Sequence, residues 1–232
     1  LKTAKFEILY IGDSPADKAK EVFAKAFANI ERNVVTSSTD VVKNVSKEKH
    51  ITEEMELSQS KLVMGFRTQI SAGDEEAVAE RLMCAVLGGT ASSKLFNNVR
   101  EKQSLCYYCG SSALRATGVM MVDSGVEPGR EAQAEAAILK ELNDLCTGPI
   151  TEQEMDDCRR GLLSSMDALS DSLAALEGWY YGQILRDEAL APPEYGKVLT
   201  NAVTADEVRE VLQSYHYSVG YTLTAKGEGE NA

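Results

Sequence analysis

Leu87-Gly88-Gly89-Thr90-Ala91-Ser92-Ser93-Lys94-Leu95-Phe96-Asn97-Asn98-Val99-Arg100-Glu101-Lys102-Gln103-Ser104-Leu105-Cys106-Tyr107 ends one helix, begins another and hands the chain to a strand. Upstream, Val78, Leu82 and Val86 share one stripe of a helix predicted over residues 74–87. The glycine pair stops it, because glycine accepts the backbone angles that a helix C-terminus needs. Ser92 or Thr90 then caps a second helix that carries Leu95, Phe96 and Val99 as far as Lys102. Two strand-like runs follow, residues 105–114 and 119–126. Ala116-Thr117-Gly118 between them is a hairpin signal.

Working outward, residues 61–67 read as a strand. Three helices are predicted after the hairpin, over residues 130–145, 151–169 and 172–187. Beyond the Pro192-Pro193 break come two shorter helices. Thr204 with Glu207 forms a capping box at the start of the second. Residues 218–224 make a last strand. This order lacks the strict alternation of a doubly wound parallel sheet. It predicts an α+β fold, a largely antiparallel sheet with helices packed on one side, over residues 58–232.

Ahead of that domain, residues 1–31 read as the closing β-α unit of a preceding one. Phe6, Ile8 and Tyr10 alternate as in a strand, and Ser14 is placed to cap a helix with Pro15 as its first residue. Ala19, Phe23, Ala26, Phe27 and Ile30 recur at helical spacing. One strand and one helix cannot bury both faces, so the unit is expected to have partners upstream. A start at Leu1 rather than Met predicts a fragment of a longer chain. Residues 32–57 are polar and aperiodic, and read as a linker with some extended pieces.

Composition narrows the function classes. The 232 residues carry a net charge of -12, spread along the chain, which excludes a phosphate-neutralising nucleic-acid face. No apolar run reaches the roughly 20 residues that cross a bilayer, so no membrane partner is expected. Five cysteines give no disulfide framework and predict reduced thiols and a cytoplasmic setting.

Candidate chemistry is sparse. His50-Ile51-Thr52-Glu53-Glu54 lacks the second histidine of an H-x-x-E-H zinc motif, and His216 lies between Tyr215 and Tyr217. Cys106-Tyr107-Tyr108-Cys109 has C-x-x-C spacing, but residues three apart on a strand point to opposite faces, so the thiols are expected to diverge. Gly88 to Lys94 misses the phosphate-loop pattern, and no G-x-S-x-G occurs.

The stretch from the glycine pair to Tyr107 resembles a motif of the pitrilysin/insulinase family of zinc metallopeptidases. The resemblance rests on Gly88-Gly89, Ser93 before Leu95-Phe96, Arg100-Glu101-Lys102, Leu105, and Tyr107 seven residues after the arginine. Gly148-Pro149-Ile150-Thr151-Glu152 and Val203-Thr204-Ala205-Asp206-Glu207-Val208 are similar to further family signatures, and the unit ending Gly12-Asp13 to the close of the preceding half.

The resemblance implies two α+β halves around a cavity, with zinc held by H-x-x-E-H in the first. The second, zinc-free half supplies an arginine and a tyrosine that hold the peptide and assist at the scissile carbonyl. Here these are Arg100 and Tyr107, so the chain is expected to bind a peptide substrate and to hold no cofactor of its own. Zinc is expected in an omitted N-terminal half or in a partner subunit. Cys106 departs from the small residue usual at its position. Two alternatives remain: an inactive scaffold of the same fold, or a purely structural Arg100 and Tyr107, one paired with an acid and the other packed.

Overall fold

The computed structural model describes residues 1–35, 42, 47–68, 70, 74–185 and 188–225. Strands β1 (Lys49–Met55), β2 (Ser60–Arg67), β3 (Cys106–Leu114), β4 (Val119–Val126) and β5 (His216–Ala225) form one sheet in the order β1-β5-β2-β4-β3. The β2–β4, β2–β5 and β3–β4 pairings are antiparallel, and β1–β5 is parallel. The helices are α1 (Ala16–Phe27), α2 (Ala77–Cys84), α3 (Glu131–Thr147), α4 (Glu152–Asp167), α5 (Leu173–Leu185), α6 (Pro193–Ala202) and α7 (Ala205–Gln213). Two π-helical segments, Ala85–Gly89 and Leu95–Lys102, lie between α2 and β3.

Alternation decides which face of the sheet is covered. Leu62, Met64 and Phe66 of β2 and Met120, Val122 and Val126 of β4 are buried. They join Leu82 and Met83 of α2, Ile138 and Leu142 of α3, and Val208, Val211 and Leu212 of α7 in one core. Each such side chain contributes roughly 1.5–3 kcal/mol on burial. The opposite face keeps Lys61, Val63, Arg67, Met121 and Asp123 only half-buried. The expected α+β architecture, with a largely antiparallel sheet and helices on one side, is what the chain adopts.

Local signals set the boundaries. The β3–β4 hairpin turns through Gly118, whose φ of 61° is left-handed and suits glycine. Capping boxes start α4 at Thr151/Glu154 and α7 at Thr204/Glu207, with each hydroxyl accepting from the backbone and each carboxylate returning the bond.

Three local expectations are corrected. Residues 6–10 form no strand. The run pairs with no strand of this sheet and packs locally, with Phe6 5.5 Å from the Phe27 ring and Arg32 stacked over both. Pro15 rather than Ser14 is the N-cap of α1, with no side-chain cap bond, and the Ser14 N–H donates to the Tyr10 hydroxyl. Within the segment read as a linker with some extended pieces, Lys49–Met55 is indeed extended, but as an edge strand of this domain's own sheet, paired with β5; its side chains are all exposed, so no apolar pattern marks it. The rest of that segment at 36–41 and 43–46, and the expected helix end at 186–187, lie outside the described residues.

Candidate functional site

The site is built where the glycine pair presses a helix end onto β3. A Cβ on Gly88 would lie 2.6 Å from the Ser111 backbone nitrogen and 2.9 Å from both Ser111 Oγ and Leu95 Cδ1. Only a residue without a side chain lets the backbones approach so closely. Ser111 Oγ donates to the Cys84 carbonyl at 2.9 Å in a buried bond, fixing this contact.

The π-helical segment Leu95–Lys102 is then anchored on three sides. Leu95 and Val99 are fully buried, Asn98 Nδ2 donates to Glu141 Oε2 of α3 at 2.6 Å, and Lys94 pairs with Glu154 at the start of α4. Phe96 and Arg100, four residues apart, share the outward side, with the guanidinium 4.6 Å from the ring centroid. Arg100 has a loose ion pair with Glu101, Nη1 to Oε1 at 3.6 Å, and its side chain is 38% exposed. Stacking on an aromatic face orients the guanidinium while leaving its N–H donors available.

Between Arg100 and the next strand the chain reverses in a tight cap. Ser104 has a φ of 52°, the single positive-φ non-glycine among the described residues. Its N–H donates to the Arg100 carbonyl at 3.1 Å, and the Leu105 N–H donates to Val99 at 3.2 Å. The left-handed residue lets Leu105 drop into the core and sends Cys106 into β3. Left-handed backbone costs a residue with a Cβ about 1–2 kcal/mol. Such strain persists where the surroundings over-determine it.

A β-bulge follows at once. Cys106 pairs with Val126 and Tyr108 with Gly125, so Tyr107 has no partner residue on β4. An extra residue at that point bends the strand and re-aims the side chains around it. Tyr107 is 58% exposed. Tyr108 lies over Gly125 on the open face, beside Lys61.

The bulge also overturns the expectation for the C-x-x-C pair. Cys106 stands opposite Val126 and Cys109 opposite Ser124, and Val126 and Ser124 are both fully buried on the core side. Cross-strand partners share a face, so the two thiols share one as well. The parity rule for a regular strand fails because one residue is skipped.

Arg100 and Tyr107 therefore occupy the end of one rigid element and the start of the next, joined by the Ser104 turn, with both polar groups reaching solvent. Both residues stand out in the sequence; Phe96 beneath the guanidinium and the strained Ser104 do not, although the four-residue spacing of Phe96 and Arg100 is a usable signal. Neither histidine belongs to this site. Among the described residues His50 on β1 meets one carboxylate, Glu135, at 3.8 Å, and His216 pairs in register with Arg67. Among the described residues no three His, Cys, Asp or Glu side chains converge as metal ligands, so the donors present do not fit a zinc ion.

Comparison with known proteins shows what the chain as a whole is similar to. The sequence model of a family described as "Peptidase M16 inactive domain" matches residues 2–162. A Bacillus subtilis protein called "Probable inactive metalloprotease YmfF" is 25% identical over 205 residues, covering 88% of this chain and 48% of the relative. A conserved protein from Enterococcus faecalis V583 superposes with a TM-score of 0.82 at 27% identity, over 94% of this chain and 52% of that one. A peptidase M16 inactive domain from Pseudomonas fluorescens superposes with a TM-score of 0.76 at 18% identity, over 93% and 53%. The chain thus spans about half the length of these relatives.

Proposed function

This chain belongs to the peptidase M16 inactive-domain family, and on that premise we propose that it is the substrate-holding, zinc-free half of a two-part metallopeptidase. In this reading Arg100 and Tyr107 position a peptide for zinc held in another half or in a partner subunit of the same family. A cytoplasmic setting belongs to the same proposal, in keeping with the five free thiols.

The observation that carries it is the presence of two partly exposed donors on adjoining elements, with Arg100 in no more than a loose ion pair. Arg100 is held by Phe96 rather than consumed by a short ion pair, and the Tyr107 hydroxyl is exposed at a bulge. A structural arginine would close onto a carboxylate, and a structural tyrosine would bury its ring. A guanidinium fork binds peptide carbonyls or a carboxylate, and a phenol can donate to developing negative charge on an oxygen. The strained turn between them keeps the donors in one relative geometry, so little ordering is needed when substrate arrives.

The test is kinetic. In the parent enzyme reconstituted with its zinc-bearing half, Arg100→Ala and Tyr107→Phe should each lower kcat/KM by about 10²-fold or more, the scale for loss of one transition-state donor. The thermal midpoint should stay within about 4 °C of wild type, since Tyr107 is exposed and Arg100→Ala loses only the stacking on Phe96, worth about 0.5–1 kcal/mol. Unchanged kinetics for both variants would favour an inactive scaffold and sink the peptide-holding role.

A further inference from the structure

We propose that Cys106 and Cys109 form a redox-modifiable dithiol, in which Cys106 exchanges with a low-molecular-weight disulfide and Cys109 resolves the adduct into an intramolecular disulfide next to Tyr107.

The placement comes from the bulge. Skipping Tyr107 puts Cys106 and Cys109 opposite Val126 and Ser124, hence on one face, where an unbroken strand would separate them. Their exposures divide the labour. Cys106 is half-buried at the mouth of the strand, within reach of a small disulfide, whereas Cys109 is 6% exposed behind it. Ser124 stands opposite Cys109 in the β3–β4 register, and Arg100 favours negative charge on Cys106.

Thiol chemistry points the same way. The neighbouring Cys109 thiol draws Cys106 down from its ordinary value to about 7; burial opposes this, while Ser124 and Arg100 assist. The Cys109 thiol is pushed up, first by its neighbour Cys106 and then by burial. Elsewhere burial raises Cys84 to about 12 and lifts Cys146 and Cys158 as well. The thiolate is the nucleophile in exchange, so Cys106 is the thiol that attacks.

The reaction balances without a metal. The Cys106 thiolate attacks one sulfur of RSSR, forming a mixed disulfide and releasing RS⁻. The Cys109 sulfur then displaces the second RS⁻, and its proton passes to the departing thiolate. Two protein thiols are oxidised and one small disulfide is reduced to two small thiols.

Mass spectrometry reads the outcome independently of any peptide binding. Trypsin cuts after Lys102 and Arg115, releasing a peptide, residues 103–115, that contains both cysteines and no other. The native chain is treated with oxidised glutathione, alkylated under denaturing conditions and digested. The expected peptide is two hydrogens lighter, carries no alkyl group, and reverts after reduction. Cys109→Ser should trap the glutathione adduct on Cys106, and Cys106→Ser should leave Cys109 fully alkylated. Full alkylation of both cysteines in wild type, an unresolved adduct persisting on wild-type Cys106, or equal modification of Cys84, Cys146 and Cys158 would overturn the proposal.

Discussion

Replacing Gly88 by alanine tests whether the glycine pair holds β3 in place or merely ends a helix. The added Cβ would sit 2.6 Å from the Ser111 backbone nitrogen, an atom that cannot swing aside, and 2.9 Å from Ser111 Oγ. Relief requires moving the π-helical turn away from β3, at an overpacking cost of about 1–3 kcal/mol. It also stretches the buried Ser111–Cys84 bond, whose loss is worth about 1 kcal/mol. Alanine recovers up to roughly 1 kcal/mol through better helix propensity. The net expectation is a loss of about 2 kcal/mol, or a thermal midpoint lower by about 4–8 °C for a chain of this size. Gly89→Ala is the control. Its nearest contact would be the Cys84 carbonyl at 3.1 Å, and the loss should stay below about 1 kcal/mol. Urea unfolding of the three proteins, with unchanged slopes, measures both differences. If Gly88→Ala is as stable as wild type, or no worse than Gly89→Ala, the close-approach argument fails.

Two other outcomes are expected. Ser104→Gly should raise the thermal midpoint by about 1–2 °C, because relief of the left-handed strain slightly exceeds the backbone entropy that glycine adds; a β-branched Val there should lower it, and the opposite ranking would show the turn to be relaxed. The Glu207 carboxyl is held below its ordinary value by the Thr204 backbone N–H and then by its hydroxyl, so its contribution to stability is full above the unfolded carboxylate pKa of about 4.3 and disappears as pH falls through the lowered folded value. The gap in urea midpoint between wild type and Glu207→Gln should therefore close between neutral and strongly acidic pH, and a constant gap would remove the ionic part of that cap.

The legible features are those whose cause is local. Thr204 with Glu207 announces a helix start, Gly118 a hairpin, and the alternation of Leu62, Met64 and Phe66 a strand with one covered face. The order of such elements suffices to indicate an α+β layer structure. What escapes has a non-local cause. β1 is a strand because β5 lies beside it, and Lys49, His50, Glu53 and Glu54 carry no apolar pattern to betray that. Phe6, Ile8 and Tyr10 carry the pattern and form no strand. At the site, the sequence points to Arg100 and Tyr107, but the phase of β3 depends on a bulge that parity alone cannot foresee. That one skipped residue reverses the reading of the cysteine pair.

The position of β5 has a consequence for how the chain reaches this state. It lies between β1 and β2, and Lys61 finds its partner Leu223 from the far end of the described chain. Such pairing closes a very long loop before any contact repays the entropy, so assembly of the sheet should be slow beside formation of the β3–β4 hairpin. During synthesis the β3–β4 hairpin and its site elements emerge before β5, while one edge of β2 waits, unpaired and open to other strands, for β5 to arrive. Loss of that segment would remove the strand that joins the two sides of the sheet, leaving β1 without a neighbour and Arg100 and Tyr107 on an unfinished scaffold.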